Sequence, residues 1–225
     1  MRDPHTRDKI LDIAIRLIRT GGYEALNFGT IAEELGITRA NIHHHFKNKE
    51  NLAIQALNRY GARLEERFAL LKENESRIPE EIGYEATGYY ERLLEHPGNC
   101  PAGMAAVHDG MWDRLSETNY GGFCVAVQLI SDQSWIPKEV SHEATGFYER
   151  LLDIFTELIE ESQEAGTVRK DRPAGDIARE ALSIQLGVGL MAMTLPAERQ
   201  SGSYSRRRMR EWLATIAPER EAVSV

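Results

Sequence analysis

The sequence predicts an all-α protein with a small N-terminal three-helix domain of the helix-turn-helix type and a larger helical C-terminal domain. Apolar residues recur at intervals of three and four along successive segments, which is the spacing of one face of an α-helix. No segment alternates apolar and polar residues in the way that would favour a β-strand. Prolines and glycines separate the segments, and we place the domain boundary after residue 50, which gives domains 1–50 and 51–225.

The first predicted helix covers Pro4–Thr20. Its apolar residues share one face of the helix: Ile10, Ile13, Ala14, Leu17 and Ile18. Gly21 and Gly22 follow directly, and glycine is a poor residue for a helix interior. The sequence therefore predicts that the helix ends at this pair.

The second predicted helix begins after Asn27, whose short polar side chain can accept a hydrogen bond from a free backbone N–H group. Four residues at helical spacing form its apolar face: Phe28, Ile31, Ala32 and Leu35. Gly36 then suits the left-handed conformation that commonly ends a helix. A short helix with a tight stop is the expected result.

The third predicted helix begins after Thr38, which can act as its cap. Ile42 should point inward, with His45 and Phe46 flanking it one turn later. The sides and the outer face carry Arg39, Ala40, Asn41, His43 and His44. Two short helices joined by a tight turn form the arrangement that places one rigid helix in the major groove of DNA.

The remaining chain is predicted to be helical as well. Asn48 can cap a long helix that runs to Asn74, and further helices are predicted at 79–95, 101–116, 121–131, 139–165, 174–195 and 204–216. The helices at 139–165 and 174–195 are apolar on more than one side. They therefore offer more apolar surface than one neighbouring helix needs.

Charge is distributed unevenly along the chain. Its 225 residues include 35 acidic and 27 basic ones, which gives a net charge of −8. The first 52 residues hold eight basic and seven acidic side chains, a net charge of +1, so all of the excess negative charge lies in the remainder. Attraction to DNA must therefore come from the local placement of Arg39, Lys47, Lys49 and the first helix, and not from the overall charge.

Several functional classes are disfavoured by what the sequence lacks. Cys100 and Cys124 form no CxxC pattern and suggest no disulfide framework. The most apolar segment, Leu182–Leu195, is too short to span a bilayer, and we expect a cytoplasmic protein without a membrane partner. No catalytic motif is present, so no enzyme and no cofactor are expected. Consecutive helical residues point about 100° apart, so His43, His44 and His45 should not converge on a metal.

The N-terminal region resembles the DNA-binding domain of TetR-family transcriptional regulators over residues 6–57. The matching residues are Ile31-Ala32, Leu35-Gly36-Ile37-Thr38, Ile42, His45-Phe46, Lys49-Glu50 and Leu52. The resemblance implies a homodimer that binds a near-palindromic DNA operator, with the helices near 139–165 and 174–195 forming the dimer interface. It also implies that a small molecule binding the C-terminal domain releases the DNA, as in a repressor.

The residues expected to contact DNA lie in and around the helix-turn-helix: Asn27, Thr38, Arg39, Ala40, Asn41, His43, His44 and Lys49. Arg39 and Asn41 are the best candidates for contacting bases, because Arg can bind guanine and Asn can bind adenine through two hydrogen bonds. The alternative for both is contact with phosphates only. Lys49 is expected to contact a phosphate.

Aromatic and soft side chains in the C-terminal domain, with Gln128 as a polar residue that could orient a ligand, form the candidate effector site: Tyr89, Tyr90, Met104, His108, Met111, Trp112, Cys124, Gln128 and Phe147. Such residues pack into an ordinary core at least as often as they line a pocket. The alternative to a regulator is an all-helical carrier or enzyme for a small molecule, in which the N-terminal domain is purely structural.

Overall fold

The computed structural model describes residues 5–72, 99, 101, 103–105, 124–132, 134–194 and 202–218. In these residues it contains helices and no β-strand. The helices are α1 (Thr6–Ala25), α2 (Phe28–Leu35), α3 (Arg39–His45), α4 (Lys49–Lys72), α5 (Val125–Ser131), α6 (Lys138–Glu164), α7 (Ala174–Thr194) and α8 (Gly202–Ile216). The all-α prediction is confirmed. The predicted helices at 79–95 and most of 101–116 lie outside the described residues.

The glycine pair interrupts α1 where the sequence predicts a stop. Gly21 and Gly22 have non-helical backbone angles, and Gly22 lies at φ 66° and ψ −163°, a region that residues with a side chain seldom adopt. One further turn follows, and the backbone N–H of Leu26 closes it on the carbonyl of Tyr23 at 3.1 Å. The regular part of α1 therefore ends at Thr20.

The first three helices enclose a small apolar core. Its fully buried side chains include Ile10, Leu11, Ile18, Leu26, Ile31, Ile42 and Phe46. Burying one large apolar side chain is worth about 1.5–3 kcal/mol, so this set is the main source of stability of the three-helix arrangement. Phe28 and Leu35 were predicted to face inward and are only half-buried.

Helix α4 packs on this core through buried Leu52, Ala53, Ala56 and Leu57. Arg59 adds a polar link, because its guanidinium binds Asp8 at 2.9 Å and Asp12 at 3.0 Å on α1. Arg63 also reaches Asp12, at 2.9 Å. Over residues 52–63, α4 is thus attached to the N-terminal helices by both apolar contact and ion pairs.

Contacts divide the chain into two compact units. One joins Met1–Glu65 with Gly121–Glu149, and the other joins Glu66–Tyr120 with Arg150–Val225. Each unit combines two stretches that are distant in sequence. The domain boundary after residue 50 stays a prediction.

A polar cluster in the second unit connects α7 and α8. Glu180 accepts hydrogen bonds from the Arg172 guanidinium and, at 2.9 Å, from the Trp212 indole N–H. The bond from Arg172, and then the bond from Trp212, hold the pKa of Glu180 below its usual value. The backbone N–H of Arg169 caps α8 by donating to the Ile216 carbonyl at 2.9 Å.

Within the part of the chain that the structure describes, no helix is both long and apolar enough to cross a membrane.

Candidate nucleic-acid interface

The turn between α2 and α3 has the geometry that its sequence predicts. The Asn27 side chain caps α2 by accepting from the Gly29 backbone N–H at 2.6 Å. Gly36 ends α2 at φ 64° and ψ 31°, and the Ile37 N–H then bonds the Ala32 carbonyl at 3.0 Å. A Cβ atom added to Gly36 would meet no atom within 4 Å, so the left-handed backbone alone favours glycine there.

Helix α3 is held by one face and exposed on the rest. The Thr38 hydroxyl caps it by accepting from the Asn41 backbone N–H at 3.2 Å. Ile42 and Phe46 are fully buried and attach α3 to the core. The other predicted outward residues are all exposed: Arg39, Ala40, Asn41, His43 and His44. The prediction of an exposed, anchored helix after Gly36 is confirmed.

The three consecutive histidines have different surroundings. The His43 ring lies 4.8 Å from the Phe28 ring, and half-buried His45 lies 6.3 Å from Phe46. His44 is exposed, with its ring 5.6 Å from that of His45. Among the described residues, no group of three or more His, Cys, Asp and Glu side chains is arranged to hold a metal ion.

Arg39 extends away from its own helix. Its guanidinium lies against Gly29 at the start of α2, where an added Cβ atom would stand 3.1 Å from the Arg39 Cζ atom. The same position is 2.9 Å from Asn27 Oδ1. The missing side chain at residue 29 therefore leaves room for the guanidinium beside the start of α2.

The Lys49 side chain contacts Tyr23 and Glu24 at the end of α1. Its ammonium lies 4.4 Å from the centre of the Tyr23 ring, 4.0 Å from the Glu24 carboxylate and 3.5 Å from the Glu24 carbonyl. Burial raises the pKa of Tyr23, and the nearby charges of Glu50 and Glu24 raise it further. Lys49 is half-buried, which distinguishes it from the other predicted DNA contacts.

The sequence did not predict the contact between α5 and the end of α1. The Asp132 carboxylate accepts a hydrogen bond from the Tyr23 backbone N–H at 3.0 Å. The Gln128 amide donates to the Arg19 carbonyl at 3.4 Å. The only local signal was the Gly21-Gly22 break, since a helix that restarts after a break needs an acceptor for its first N–H groups.

The candidate effector residues fall into two groups. Tyr89, Tyr90, His108, Met111 and Trp112 lie outside the described residues. Of the others, Met104 and Phe147 are buried, Cys124 is a half-buried free thiol, and Gln128 makes the bond to α1 given above. The Phe147 ring packs at 5.7 Å from that of Tyr60 on α4.

Comparisons with known proteins agree with this geometry. Residues 10–56 match the family model of bacterial regulatory proteins of the tetR family. The HTH-type transcriptional regulator AcrR of Shigella flexneri is 45% identical over 47 residues, which are 21% of this chain and 22% of that protein. The HTH-type transcriptional repressor AcnR of Corynebacterium diphtheriae is 26% identical over 168 residues, or 74% of this chain and 70% of that protein.

The fold is also shared over nearly the whole chain. The crystal structure of a TetR-family transcriptional regulator from Agrobacterium tumefaciens superposes with a TM-score of 0.70 at 24% identity, covering 94% of this chain and 97% of that one. An exposed α3 on a capped turn, within an all-helical fold, defines a helix-turn-helix protein. The N-terminal region of the chain is thus similar to that of the TetR family of bacterial regulatory proteins. The aligned stretch spans less than a quarter of AcrR.

Proposed function

We propose that the protein is a sequence-specific DNA-binding transcriptional repressor that releases its operator when a small, largely apolar molecule binds the C-terminal domain. The observation that carries this proposal is α3, which is anchored by Ile42 and Phe46 and exposed on its remaining faces. A short, rigid, exposed helix after a capped turn is what a major-groove contact requires. The family match at residues 10–56 supports a regulator over the carrier or enzyme alternative.

The proposed DNA-facing residues are Asn27, Thr38, Arg39, Ala40, Asn41, His43, His44 and Lys49. Seven of them are exposed, and Lys49 lies half-buried at the start of α4. The side-chain oxygens of Asn27 and Thr38 already accept from backbone N–H groups, so their main contribution is to position α2 and α3. Asn41, exposed on the first turn of α3, is the proposed contact to adenine.

Dimerisation is proposed through α6 and α7, the helices that were predicted at 139–165 and 174–195. Leu190 and Met191 are adjacent on α7 and are 49% and 52% exposed, so an interface on this helix would bury apolar surface from both side chains. A second copy of the chain is the proposed cover. Two protomers related by a twofold axis would contact half-sites about 34–36 Å apart, or a multiple of this, in a near-palindromic operator.

Effector binding is proposed for the C-terminal domain, through residues chosen from Tyr89, Tyr90, Met104, His108, Met111, Trp112, Cys124, Gln128 and Phe147. Binding would favour a conformation in which two α3 helices no longer fit both half-sites. Such coupling is reciprocal, so DNA should weaken effector binding by the same factor. A cytoplasmic location, where the protein can reach DNA, is part of the proposal.

The test is a gel-shift assay on the DNA upstream of the protein's own gene, with an unrelated duplex of equal length as competitor. The wild-type protein should shift the upstream DNA selectively. Arg39→Ala combined with Asn41→Ala should abolish the selective shift, because both side chains lie exposed on α3. Lys170→Ala removes an exposed cation far along the chain and is the matched control, which should bind normally. Circular dichroism and sedimentation must show that all variants stay folded. Selective binding that survives in the double variant, or is absent from the wild type, would refute the proposal.

A further inference from the structure

The cations of residues 5–50 differ in what they already contact. The Arg16 guanidinium pairs with Glu34, and that of Arg7 bonds Gln55 and lies over the Phe46 ring. Lys9 and Arg19 also interact with other residues, and Lys49 is held by Tyr23 and Glu24.

Two cations remain. Within the described part of the chain, neither Arg39 nor Lys47 forms an ion pair or a side-chain hydrogen bond, and both are exposed. A cation without an internal partner loses nothing within the protein when it binds a phosphate. Arg39 and Lys47 can therefore contact a phosphate without breaking an existing interaction of their side chains, unlike the other cations of this region.

The position of Arg39 determines which part of a duplex it can reach. In helix-turn-helix complexes the first helix crosses the phosphate backbone, and the second enters the major groove. The Arg39 guanidinium lies against Gly29 at the start of α2, which is the first helix of the pair. Its charge is thus placed near the phosphates, although its backbone belongs to α3.

Lys47 is the second residue after the end of α3, in the turn before α4. Arg39 and Lys47 therefore flank the two ends of α3, with Asn41 and His44 exposed between them. Cations at both ends of a groove-binding helix fix its position along the duplex but carry no sequence information.

We propose that Arg39 and Lys47 are the principal phosphate contacts of the helix-turn-helix, that Lys49 contributes less, and that base recognition belongs to the exposed face between them, led by Asn41. This assignment rests on the proposed DNA-binding function. It differs from the expectation that Arg39 contacts bases, and it assigns a phosphate contact to Lys47, which the sequence indicates only as a source of attraction to DNA.

The experiment measures the affinity for the upstream DNA used in the gel-shift assay, which is taken as the operator, and for an unrelated duplex, by fluorescence anisotropy at several salt concentrations. Arg39→Ala and Lys47→Ala should each reduce the slope of log K against log salt by about one, the value for one lost phosphate contact. Lys49→Ala is the matched control for Lys47→Ala. It should change the slope of log K against log salt by less than half as much as Lys47→Ala does. Arg39→Lys keeps a cation and should restore the slope.

A second measurement uses a panel of operators that each carry one base change. Arg39→Ala should weaken binding to all of these operators by the same factor and leave the order of their affinities unchanged. Asn41→Ala should instead remove discrimination of about 5- to 150-fold at one base pair. The assignment is overturned if Arg39→Ala changes the ranking, if its slope equals that of the wild type, or if Lys49→Ala lowers the slope as much as Lys47→Ala does.

The two proposals fail in different ways. If the wild-type protein binds the operator and the unrelated duplex equally, sequence-specific function is refuted. The slopes on the unrelated duplex then still decide which cations contact phosphates.

Discussion

Gly22 and Asp132 should be energetically coupled across the contact between α1 and α5. Gly22 lies at φ 66° and ψ −163°, and the next residue donates its backbone N–H to Asp132 Oδ2 at 3.0 Å. A Cβ atom on Gly22 would overlap Asp132 Oδ2 and stand 3.4 Å from the Cγ atom. Gly22→Ala therefore both strains the backbone and displaces the carboxylate.

The expected magnitudes follow from these two effects. Asp132→Ala removes one hydrogen bond to a charged group, which is worth about 1.5–3 kcal/mol of unfolding free energy. Gly22→Ala adds backbone strain of about 1–3 kcal/mol to the loss of that same bond. In the double variant the bond can be lost only once. Its destabilisation should therefore fall short of the sum of the single changes by about 1.5–3 kcal/mol.

The assay is urea unfolding followed by circular dichroism at one fixed protein concentration, because association would otherwise change the apparent stability. Gly36→Ala provides the control: φ is 64° there too, but an added Cβ atom meets nothing within 4 Å. It should cost about 1–2 kcal/mol from backbone strain alone.

Gly36→Ala should also be additive with Asp132→Ala, because the two sites share no contact. If Gly22→Ala and Asp132→Ala instead add to within about 0.5 kcal/mol, the carboxylate is not displaced by the new methyl group. The reasoning from the backbone geometry of Gly22 would then be wrong.

Two further predictions concern the second unit. The pKa of Glu180 in the folded protein is lowered by Arg172 and Trp212. The stability that this cluster contributes is therefore fully present above the ordinary carboxyl pKa of 4.5, and it is lost as the pH falls through the lower pKa of the folded state. Glu180→Gln should flatten the loss of stability in that acidic range, measured by urea unfolding at several pH values; an unchanged pH profile would contradict it. Leu190→Glu with Met191→Glu should convert a dimer into monomers in analytical ultracentrifugation, because charges would be buried in the proposed interface. A variant that stays dimeric would exclude α7 as the contact.

The N-terminal helices could be predicted because their signals are local. Asn27 and Thr38 act on N–H groups two and three residues away, and Gly36 acts on its own backbone angles. The periodic spacing that placed Ile42 inward also placed its neighbours outward, so the exposed face of α3 followed from the same pattern.

The contacts between distant residues could not be predicted in the same way. Asp132 and Tyr23 are 109 positions apart, and nothing in the spacing of either residue indicates the other. Gln128 was predicted to belong to the effector site, which stays a prediction, and only the fold shows that its amide donates to the Arg19 carbonyl. Lys49 was expected to contact a phosphate, and only the fold shows that the Tyr23 ring lies beneath its ammonium.

The tertiary contacts show which cations of the N-terminal region are not already bound to other residues of the protein. By a count of basic and acidic residues, the N-terminal region is nearly neutral. The count does not show that most of the region's cations already interact with other residues of the protein. Arg39 and Lys47 are the exceptions among residues 5–50, and they lie at the two ends of α3. On the proposed function, the excess acidic residues after residue 52 would repel a DNA duplex and so penalise docking that does not use this helix. Local placement of two cations can therefore direct α3 to a duplex even though the net charge of the chain is −8.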